Sequence, residues 1–83
     1  MIHASHPDII KRLKRVEGHV RSIVAMIEQG RSCIDLAQQL HAVEAAVTNA
    51  KRALIHDHIE HCFEGGEGAK ADLRDIRQLA KYL

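Results

Sequence analysis

Two cysteines and a cluster of histidines are the residues in this sequence best suited to chemistry. The segment ALIHDHIEHC, residues 53–62, contains three histidines and Cys62, and the only other cysteine is Cys33, 29 residues upstream. Thiolates and imidazoles together bind soft or borderline metal ions. His58 and Cys62 are four residues apart and therefore share one face of a helix. A metal site is predicted if the fold brings Cys33 to this pair; otherwise the cysteines are small buried apolar residues and the histidines solvated polar groups.

A long amphipathic first helix is predicted from the N-terminal third of the chain. SHPD at residues 5–8 resembles a capping box that starts at Ser5, and it places Pro7 in the first turn. Gly30 is expected to end the helix, since glycine favours the left-handed conformation of a C-terminal cap. Between these points, apolar residues recur at alternating steps of four and three and form a single row: Ile9, Leu13, Val16, Val20, Ile23 and Ile27.

The second helix is expected to be the longest element and to carry the candidate ligands. It begins at a second capping box, Ser32 with Asp35, and meets no glycine or proline before GGEG at residues 65–68. About 30 residues at ~1.5 Å each make a rod of about 45 Å. Its apolar row is Leu36, Leu40, Val43, Val47, Ala50 and Leu54. The apolar row of a short third helix is Leu73, Ile76, Ala80 and Leu83. The predicted fold class is therefore all-α, a three-helix protomer with one long central helix, forming a single domain over residues 1–83.

A rod of this length cannot be covered by the two shorter helices, so it needs another chain. A second copy of the same helix, running antiparallel, is the simplest partner. Within one chain, Cys33 and His58 would lie about 37 Å apart along the helix. In an antiparallel pair the start of one helix lies beside the end of the other. Cys33 of one subunit would then meet His58 and Cys62 of its mate, which predicts an intersubunit site in a homodimer or larger assembly.

The number of available donors determines which metal ion such a site prefers. Two thiolates and one imidazole form a trigonal Cu(I) site, and one more nitrogen makes a four-coordinate Ni(II) or Zn(II) site. His3 and His6, close to the N-terminus, are the candidates for that nitrogen.

Composition excludes several classes of function. Eighty-three residues suffice for one small domain, and no apolar run approaches the roughly 18 to 20 residues of a membrane span. The N-terminus lacks the basic start and apolar run of a secretory signal, so we expect a cytoplasmic protein with reduced thiols. No paired carboxylates, activated nucleophile or phosphate loop is found, and the chain is therefore not expected to be an enzyme.

Positive charge is concentrated on the predicted first helix. Residues 11–21, KRLKRVEGHVR, carry five basic side chains against one acidic one: Lys11, Arg12, Lys14, Arg15 and Arg21. Arg12, Arg15 and His19 share one helix face, and Lys51 and Arg52 add charge from the second helix. By itself such a run is more typical of a solvated helix surface. Repeated across an oligomer, it becomes a positive surface of the kind that neutralises phosphates.

Together these motifs resemble the family of copper- and nickel-responsive repressors, which includes the copper-sensing operon repressor, the nickel/cobalt efflux repressor and the formaldehyde-responsive repressor. The resemblance covers almost the full length and is carried by RLKRVEGHVRSI, CIDLAQQLHAVEAAV and HDHIEHC. It implies an all-α dimer of dimers with an intersubunit site at Cys33, His58 and Cys62. It also implies operator DNA binding without a helix-turn-helix in the ligand-free state, and release when an inducer binds. The family's basic residues thought to touch DNA match Arg12 and Arg15 most closely.

The choice of inducer depends on where this chain departs from its relatives. Copper-sensing members are similar in having a tyrosine before the first cysteine and a glutamate on the third helix; here Ser32 stands at the first position, and the third helix offers Asp75 or Gln78. Formaldehyde-sensing members use a proline at position 2, where this chain has Ile2. The N-terminal histidines favour Ni(II), with Cu(I) close behind.

Two other functions use some of the same residues. A dimeric metal-storage or carrier protein could hold an ion in the same site, but it would have no need of the basic first-helix face. A persulfide-responsive repressor could use Cys33 and Cys62, although such relatives lack the histidine of the predicted metal site.

The remaining histidines are expected to have structural or solvated roles. His41 lies one position away from the Leu40 and Val43 row, which predicts a partly buried polar residue. His56 and His61 face away from His58 on the same helix and are expected to be exposed, although His61 could offer a competing ligand.

Overall fold

The computed structural model describes residues 6–65 and 69–83, with the side chains of residues 6–60 and 73–83. The described elements are α1 (His6–Glu28), α2 (Cys33–Gly65), α3 (Ala69–Leu79) and a terminal 3-10 turn (Ala80–Tyr82). No strand occurs in these ranges, and the all-α fold class is confirmed. The molecule measures 55 × 23 × 12 Å because α2, with 33 residues, is itself about 50 Å long. None of the helices in the described ranges combines the length and the hydropathy that a membrane span requires.

The end of α1 is a glycine cap, as predicted. Gly30 has a positive φ of 77°, a conformation that costs glycine little because it has no Cβ. Its N–H donates to the carbonyl of Ile27 at 3.1 Å, and the N–H of Arg31 donates to the carbonyl of Met26 at 3.1 Å. These two bonds form a Schellman motif, which satisfies carbonyls that the helix end would otherwise leave unpaired.

The start of α2 is fixed by a serine cap, also as predicted. The N–H of Asp35 donates to Oγ of Ser32 at 3.2 Å, so the side chain satisfies one of the unpaired amides of the first turn. Asp35 also places a negative charge in this turn, where the helix dipole favours it. The predicted start of the first helix at Ser5 lies outside the described residues.

α1 and α2 pack against each other as a helical hairpin, but each covers only one narrow row of the other. The covered rows have a spacing of seven residues and are buried or half-buried: Ile9, Val16 and Ile23 on α1, and Leu36, Val43 and Ala50 on α2. The alternate positions are exposed: Leu13, Val20 and Ile27 on α1, and Leu40, Val47 and Leu54 on α2. The sequence predicted one continuous row per helix. The structure divides each row in two, since a single neighbouring helix covers only part of an apolar face.

The exposed row Leu40, Val47 and Leu54 is here called the α2 stripe. Its side chains are 53%, 44% and 41% exposed. An apolar surface repeated along a helix in this way marks an interaction site more often than isolated exposed residues do. The uncovered surface therefore runs along the length of α2, and is not confined to the end that the shorter helices fail to reach.

α3 packs on the C-terminal half of α2 with a different register from the predicted one. Ile76 and Leu79 are its half-buried apolar residues, whereas Leu73, Ala80 and Leu83 are exposed. The predicted row assumed α-helical spacing to the end of the chain. The α-helix stops at Leu79 and continues as a 3-10 turn, which has about three residues per turn and rotates Ala80 and Leu83 out of line. Leu73 precedes the turn, and it is exposed because it lies about 120° around the helix from Leu79.

Replacement of Val47 by glutamate should disrupt self-association, because a charge would then have to be buried at the centre of the α2 stripe. Sedimentation velocity should show a smaller species than wild type. Ala45→Glu is the matched control: Ala45 is exposed on the opposite flank of α2, and its replacement should leave the sedimentation coefficient unchanged. A wild-type chain that sediments as a compact 9.3 kDa monomer at micromolar concentration would contradict the expectation.

Candidate metal centre and nucleic-acid interface

Cys33 lies at the head of the α2 stripe. It is the first residue of α2 and carries an exposed free thiol. It precedes Leu40 by seven residues, which is about two helical turns, so the two side chains lie on the same face. The neighbouring Ser32 cap and Gly30 turn fix the backbone from which the thiol projects. A thiolate here would be presented on the surface that the protomer leaves uncovered.

His58 lies at the other end of the same stripe. It follows Leu54 by four residues, and its side chain is 26% exposed. Its Nε2 is 3.8 Å from Oδ2 of Asp75, so α3 brings a carboxylate to the ring. A carboxylate beside one ring nitrogen is the common outer partner of a metal-binding histidine, because it fixes the orientation of the ring. Of the two polar residues that the sequence offered on the third helix, Asp75 lies 3.8 Å from His58, and Gln78 lines the same groove.

His6 and His58 line the same groove, which has a volume of about 510 Å³. The groove lies where α1 begins and where α3 meets α2, and Asp75 also lines it. The structure therefore brings one of the two predicted N-terminal histidines close to the predicted ligand on α2. His3 lies outside the described residues.

The predicted ligands of one protomer do not meet. Cys33 and His58 belong to one uninterrupted helix, so they are separated by about 37 Å. Among the described residues, no group of three or more histidine, cysteine, aspartate or glutamate side chains could hold a metal ion. Cys62 continues the helix four residues after His58, and its side chain lies outside the described residues. A site that includes both Cys33 and His58 requires two chains.

A second groove, of about 460 Å³, runs between α1 and α2 and carries part of the predicted basic face. We call it the α1–α2 groove. Its lining residues are Asp8, Arg12, Arg15, Val16, His19, Ala46 and Asn49. The two arginines that best match the family pattern thus open onto one surface, opposite an amide side chain from α2. Arg12 is held by Asp8, whose Oδ2 lies 3.2 Å from its Nε.

His19 connects the two helices at this groove. Its Nε2 forms a hydrogen bond of 2.6 Å with Oε1 of Gln39 on α2, and both residues are half-buried. The sequence placed His19 on the basic face with Arg12 and Arg15, and all three line the same groove. The structure adds that His19 is tied to α2, so its ring fixes the position of α1 relative to α2.

The other basic residues of α1 lie outside the groove. Lys11 and Lys14 are exposed, and Arg21 forms an ion pair of 3.1 Å with Glu17. These three side chains can extend a positive surface around the groove. Their assignment to DNA binding stays a prediction.

The two basic residues of α2 lie on different flanks of the helix. Lys51 is four residues after Val47 and three before Leu54, so it borders the α2 stripe. Arg52 is three residues after Asn49 and shares the flank of the α1–α2 groove. The placement favours Arg52 over Lys51 as a DNA-binding residue.

Three histidines outside the proposed ligand set lie on α2: His41, His56 and His61. His41 is exposed, and the expectation of a partly buried residue was wrong, because Leu40 beside it is also exposed and two steps along the helix from the half-buried Val43 turn the side chain by about 200°. His56 is exposed, as predicted. The side chain of His61 lies outside the described residues.

Sequence reasoning missed the α2 side of the groove, which is formed by Ala46 and Asn49, and it also missed Gln39, the partner of His19. Gln39 precedes Ala46 by seven residues and Asn49 follows it by three, so all three lie near one flank of α2. Small and amide residues at these spacings could have indicated the flank that faces α1. The apolar row drew attention to the other flank instead.

The protomer is elongated and helical, with a cysteine and a histidine at the two ends of an uncovered apolar stripe. A basic groove lies on another flank. These are features of a DNA-binding metal sensor. The sequence matches the family described as "Metal-sensitive transcriptional repressor" over residues 5–83. The chain belongs to this family. Members are transcriptional repressors and not enzymes, which confirms that expectation, and their activity implies DNA binding.

Curated relatives and a solved structure agree with this assignment. The chain is 43% identical over 74 residues to the copper-sensing transcriptional repressor CsoR of Bacillus subtilis, covering 82% of this chain and 73% of that protein. It is also 43% identical over 70 residues to the copper-sensing transcriptional repressor RicR of Mycobacterium tuberculosis, covering 78% and 73%. The nickel-responsive transcriptional regulator InrS has the same fold, with a TM-score of 0.83 and 24% identity over 100% of this chain and 98% of that one.

Proposed function

We propose that this repressor binds operator DNA in its metal-free state and releases it when Ni(II) or Cu(I) binds, so that metal efflux or resistance genes are transcribed. The proposed ligands are Cys33 of one subunit and His58 and Cys62 of another, in an antiparallel homodimer that pairs again into a tetramer. The observation that carries the proposal is the position of Cys33 and His58 at opposite ends of the exposed α2 stripe. We propose a cytoplasmic location, where thiols stay reduced and operator DNA is accessible.

Burial of the stripe and assembly of the site are the same event in this arrangement. When two α2 helices pair antiparallel through Leu40, Val47 and Leu54, the head of one stripe lies beside the tail of the other. A two-fold axis makes both ends equivalent, so each dimer contains two sites. The apolar contact between the two stripes supplies the free energy of association. The affinity of the metal site at each end then depends on how the two chains pack.

The donor set fits a soft or borderline ion, and two observations bear on its identity. Two thiolates and one imidazole suit trigonal Cu(I), and the relatives named above are copper-sensing repressors. His6, which lines the groove beside His58, could supply the further nitrogen that a four-coordinate Ni(II) site needs. Both metals remain in the proposal, and the N-terminal histidines favour Ni(II).

The proposed DNA contact is the α1–α2 groove with the basic residues around it. Arg12 and Arg15 from α1, and Arg52 beside Asn49 on α2, would neutralise phosphates on one face of the protomer. Metal and DNA would thus bind different flanks of α2. Release requires the metal to favour the arrangement that binds DNA poorly, by a coupling free energy of typically ~1–3 kcal/mol.

A mixed-subunit experiment tests whether the site is shared. Cys33→Ala and His58→Ala proteins should each lose metal binding. After unfolding and refolding together, they should form mixed dimers. One site of each mixed dimer is then complete, and the other lacks both Cys33 and His58. Metal titration of the isolated mixed dimer should then give half the wild-type stoichiometry.

The control mixture is His58→Ala with Cys62→Ala, in which both proposed sites remain incomplete and no metal binding should return. Metal binding that returns in the control mixture would contradict a site built from two chains in this way. The absence of metal binding in the Cys33→Ala and His58→Ala mixture would also contradict it.

Joint replacement of His3 and His6 by alanine should separate the two metals. If the ion is Ni(II), the loss of the fourth nitrogen should lower both nickel affinity and nickel-driven DNA release. If it is Cu(I), Cys33, His58 and Cys62 complete a trigonal site without them, and copper affinity should change little. Competition titrations with chelators would measure both affinities. Full nickel-driven release by the double variant would exclude the two N-terminal histidines as ligands and place copper first.

Arg15→Ala should weaken operator binding while leaving metal affinity nearly unchanged, because it removes phosphate neutralisation and no ligand. The slope of log affinity against log salt should become shallower by about one. Arg31→Ala is the control, since it removes the same charge from an arginine that is paired with Asp35 at 3.7 Å and lies outside the α1–α2 groove. Equal effects of the two variants in a gel-shift titration would show that only net charge matters.

A further inference from the structure

The α1–α2 groove contains an acidic side chain where a phosphate-binding surface should have none. Asp8 lines the groove together with Arg12 and Arg15, and its Oδ2 is 3.2 Å from Nε of Arg12. The carboxylate therefore occupies the Nε–H of Arg12, one of the donors that a phosphate oxygen would use, because carboxylate and phosphate bind the same donors of arginine.

The ion pair between Asp8 and Arg12 is easily exchanged. The two side chains are 67% and 46% exposed, and the pair is an i, i+4 contact on one helix. Exposed pairs of this kind are weak, since water and salt compete with them. An incoming phosphate can replace the carboxylate without breaking any buried contact.

Asn49 stands on the α2 side of the same groove. Its amide N–H groups can donate to an anion that Arg12 and Arg15 hold from α1, and its side chain is exposed. The groove thus offers donors from two helices, with Asp8 as its acidic member.

We propose that one backbone phosphate of the operator binds in the α1–α2 groove between Arg12, Arg15 and Asn49, and that Asp8 is a built-in competitor for this phosphate. In the free protein, the carboxylate of Asp8 is paired with the guanidinium of Arg12. On DNA, Arg12 exchanges the carboxylate for the phosphate, and the displaced negative charge stays close enough to weaken the complex. This inference rests on the proposed function, because it assigns a role at the same DNA-binding surface.

A competitor of this kind keeps operator affinity below the maximum that the basic residues could reach. A repressor that must release DNA when metal binds gains from such a limit, because a modest coupling free energy then suffices to shift the equilibrium. Asp8 would therefore set the range of metal concentration over which release occurs.

The chain supplies a matched control for Asp8. Glu17 and Arg21 form another i, i+4 ion pair on α1, at 3.1 Å and with 70% and 76% of the side chains exposed, but neither residue lines the groove. Asp8→Asn and Glu17→Gln change the net charge equally and leave similar amide side chains. Any long-range effect of charge on DNA binding should be similar in both.

The test measures operator affinity by fluorescence anisotropy, using the DNA upstream of the chain's own coding sequence at two salt concentrations. Asp8→Asn should bind about threefold to tenfold more tightly than Glu17→Gln, and its salt dependence should be steeper by up to about one counterion. Loss of the favourable first-turn charge in Asp8→Asn would reduce helix stability and weaken binding, so it cannot mimic the expected gain. Equal affinities of the two variants would overturn the inference.

A double-mutant cycle locates the effect at Arg12. In an Arg12→Ala background, Asp8→Asn should gain no more than Glu17→Gln does, since no guanidinium remains to be released. Asn49→Ala should weaken binding, while Gln38→Ala, an exposed amide of α2 outside the groove, should not. The inference would be overturned if Asp8→Asn kept its full gain in operator affinity in the Arg12→Ala background. It would also be overturned if Asn49→Ala and Gln38→Ala had equal effects.

Wild-type behaviour separates this inference from the proposed function. Wild type that binds the operator and is released by metal, with Asp8→Asn and Glu17→Gln equal, would overturn the role of Asp8 alone. Wild type that binds no operator DNA, with or without metal, would overturn both.

Discussion

The need to bury one face of α2 is the constraint on which the rest of this structure depends. The helix has 33 residues, and its own chain covers it with one strip of α1 and with the short α3. Only four apolar residues of the described part are buried: Ile9, Ile23, Ala50 and Ile55. Each of Leu40, Val47 and Leu54 would contribute roughly 1.5–3 kcal/mol if it were moved from full exposure to full burial. A protomer with so small a core can therefore gain substantial hydrophobic stabilisation by covering this stripe.

The placement of the candidate ligands follows from the same constraint. Cys33 and His58 continue the stripe in both directions, so a surface that pairs two α2 helices antiparallel also brings these residues together. A metal at the proposed site would report on the relative position of the two chains, and would be sensitive to any sliding of one helix along the other. The proposed antiparallel pairing would explain why two ligands stand at opposite ends of one long helix, where no single chain can use both.

Sequence patterns predicted the helices well and the surfaces between them less well. Gly30 and Ser32 are local signals, since a left-handed glycine and a serine cap act within one turn, and both were confirmed. The division of each apolar row into a covered and an uncovered half depends on how α1 lies against α2, which no local signal fixes. For the same reason the sequence could not show that Asn49 faces the basic helix. The pair between Asp8 and Arg12 is different, because an i, i+4 contact on one helix can be read from the spacing. The contact of Asp75 with His58 depends on where α3 docks, and the register of α3 was the part of the fold that periodicity predicted incorrectly.

The proposed metal and DNA surfaces lie on opposite flanks of α2, which limits how one can affect the other. The stripe lies on the flank of Val47, whereas the groove lies on the flank of Asn49, so the two surfaces have no side chain in common. A shift of the whole helix relative to its neighbours is the more effective route, because closely packed interfaces move between discrete arrangements. The bond between His19 and Gln39, at 2.6 Å and half-buried, is the polar link that ties α1 to α2 at the groove. It would make α1 follow such a shift, and would carry Arg12 and Arg15 with it. The coupling required is comparable to the net contribution of one or two hydrogen bonds, so a single interhelix link of this kind is of the right magnitude to matter.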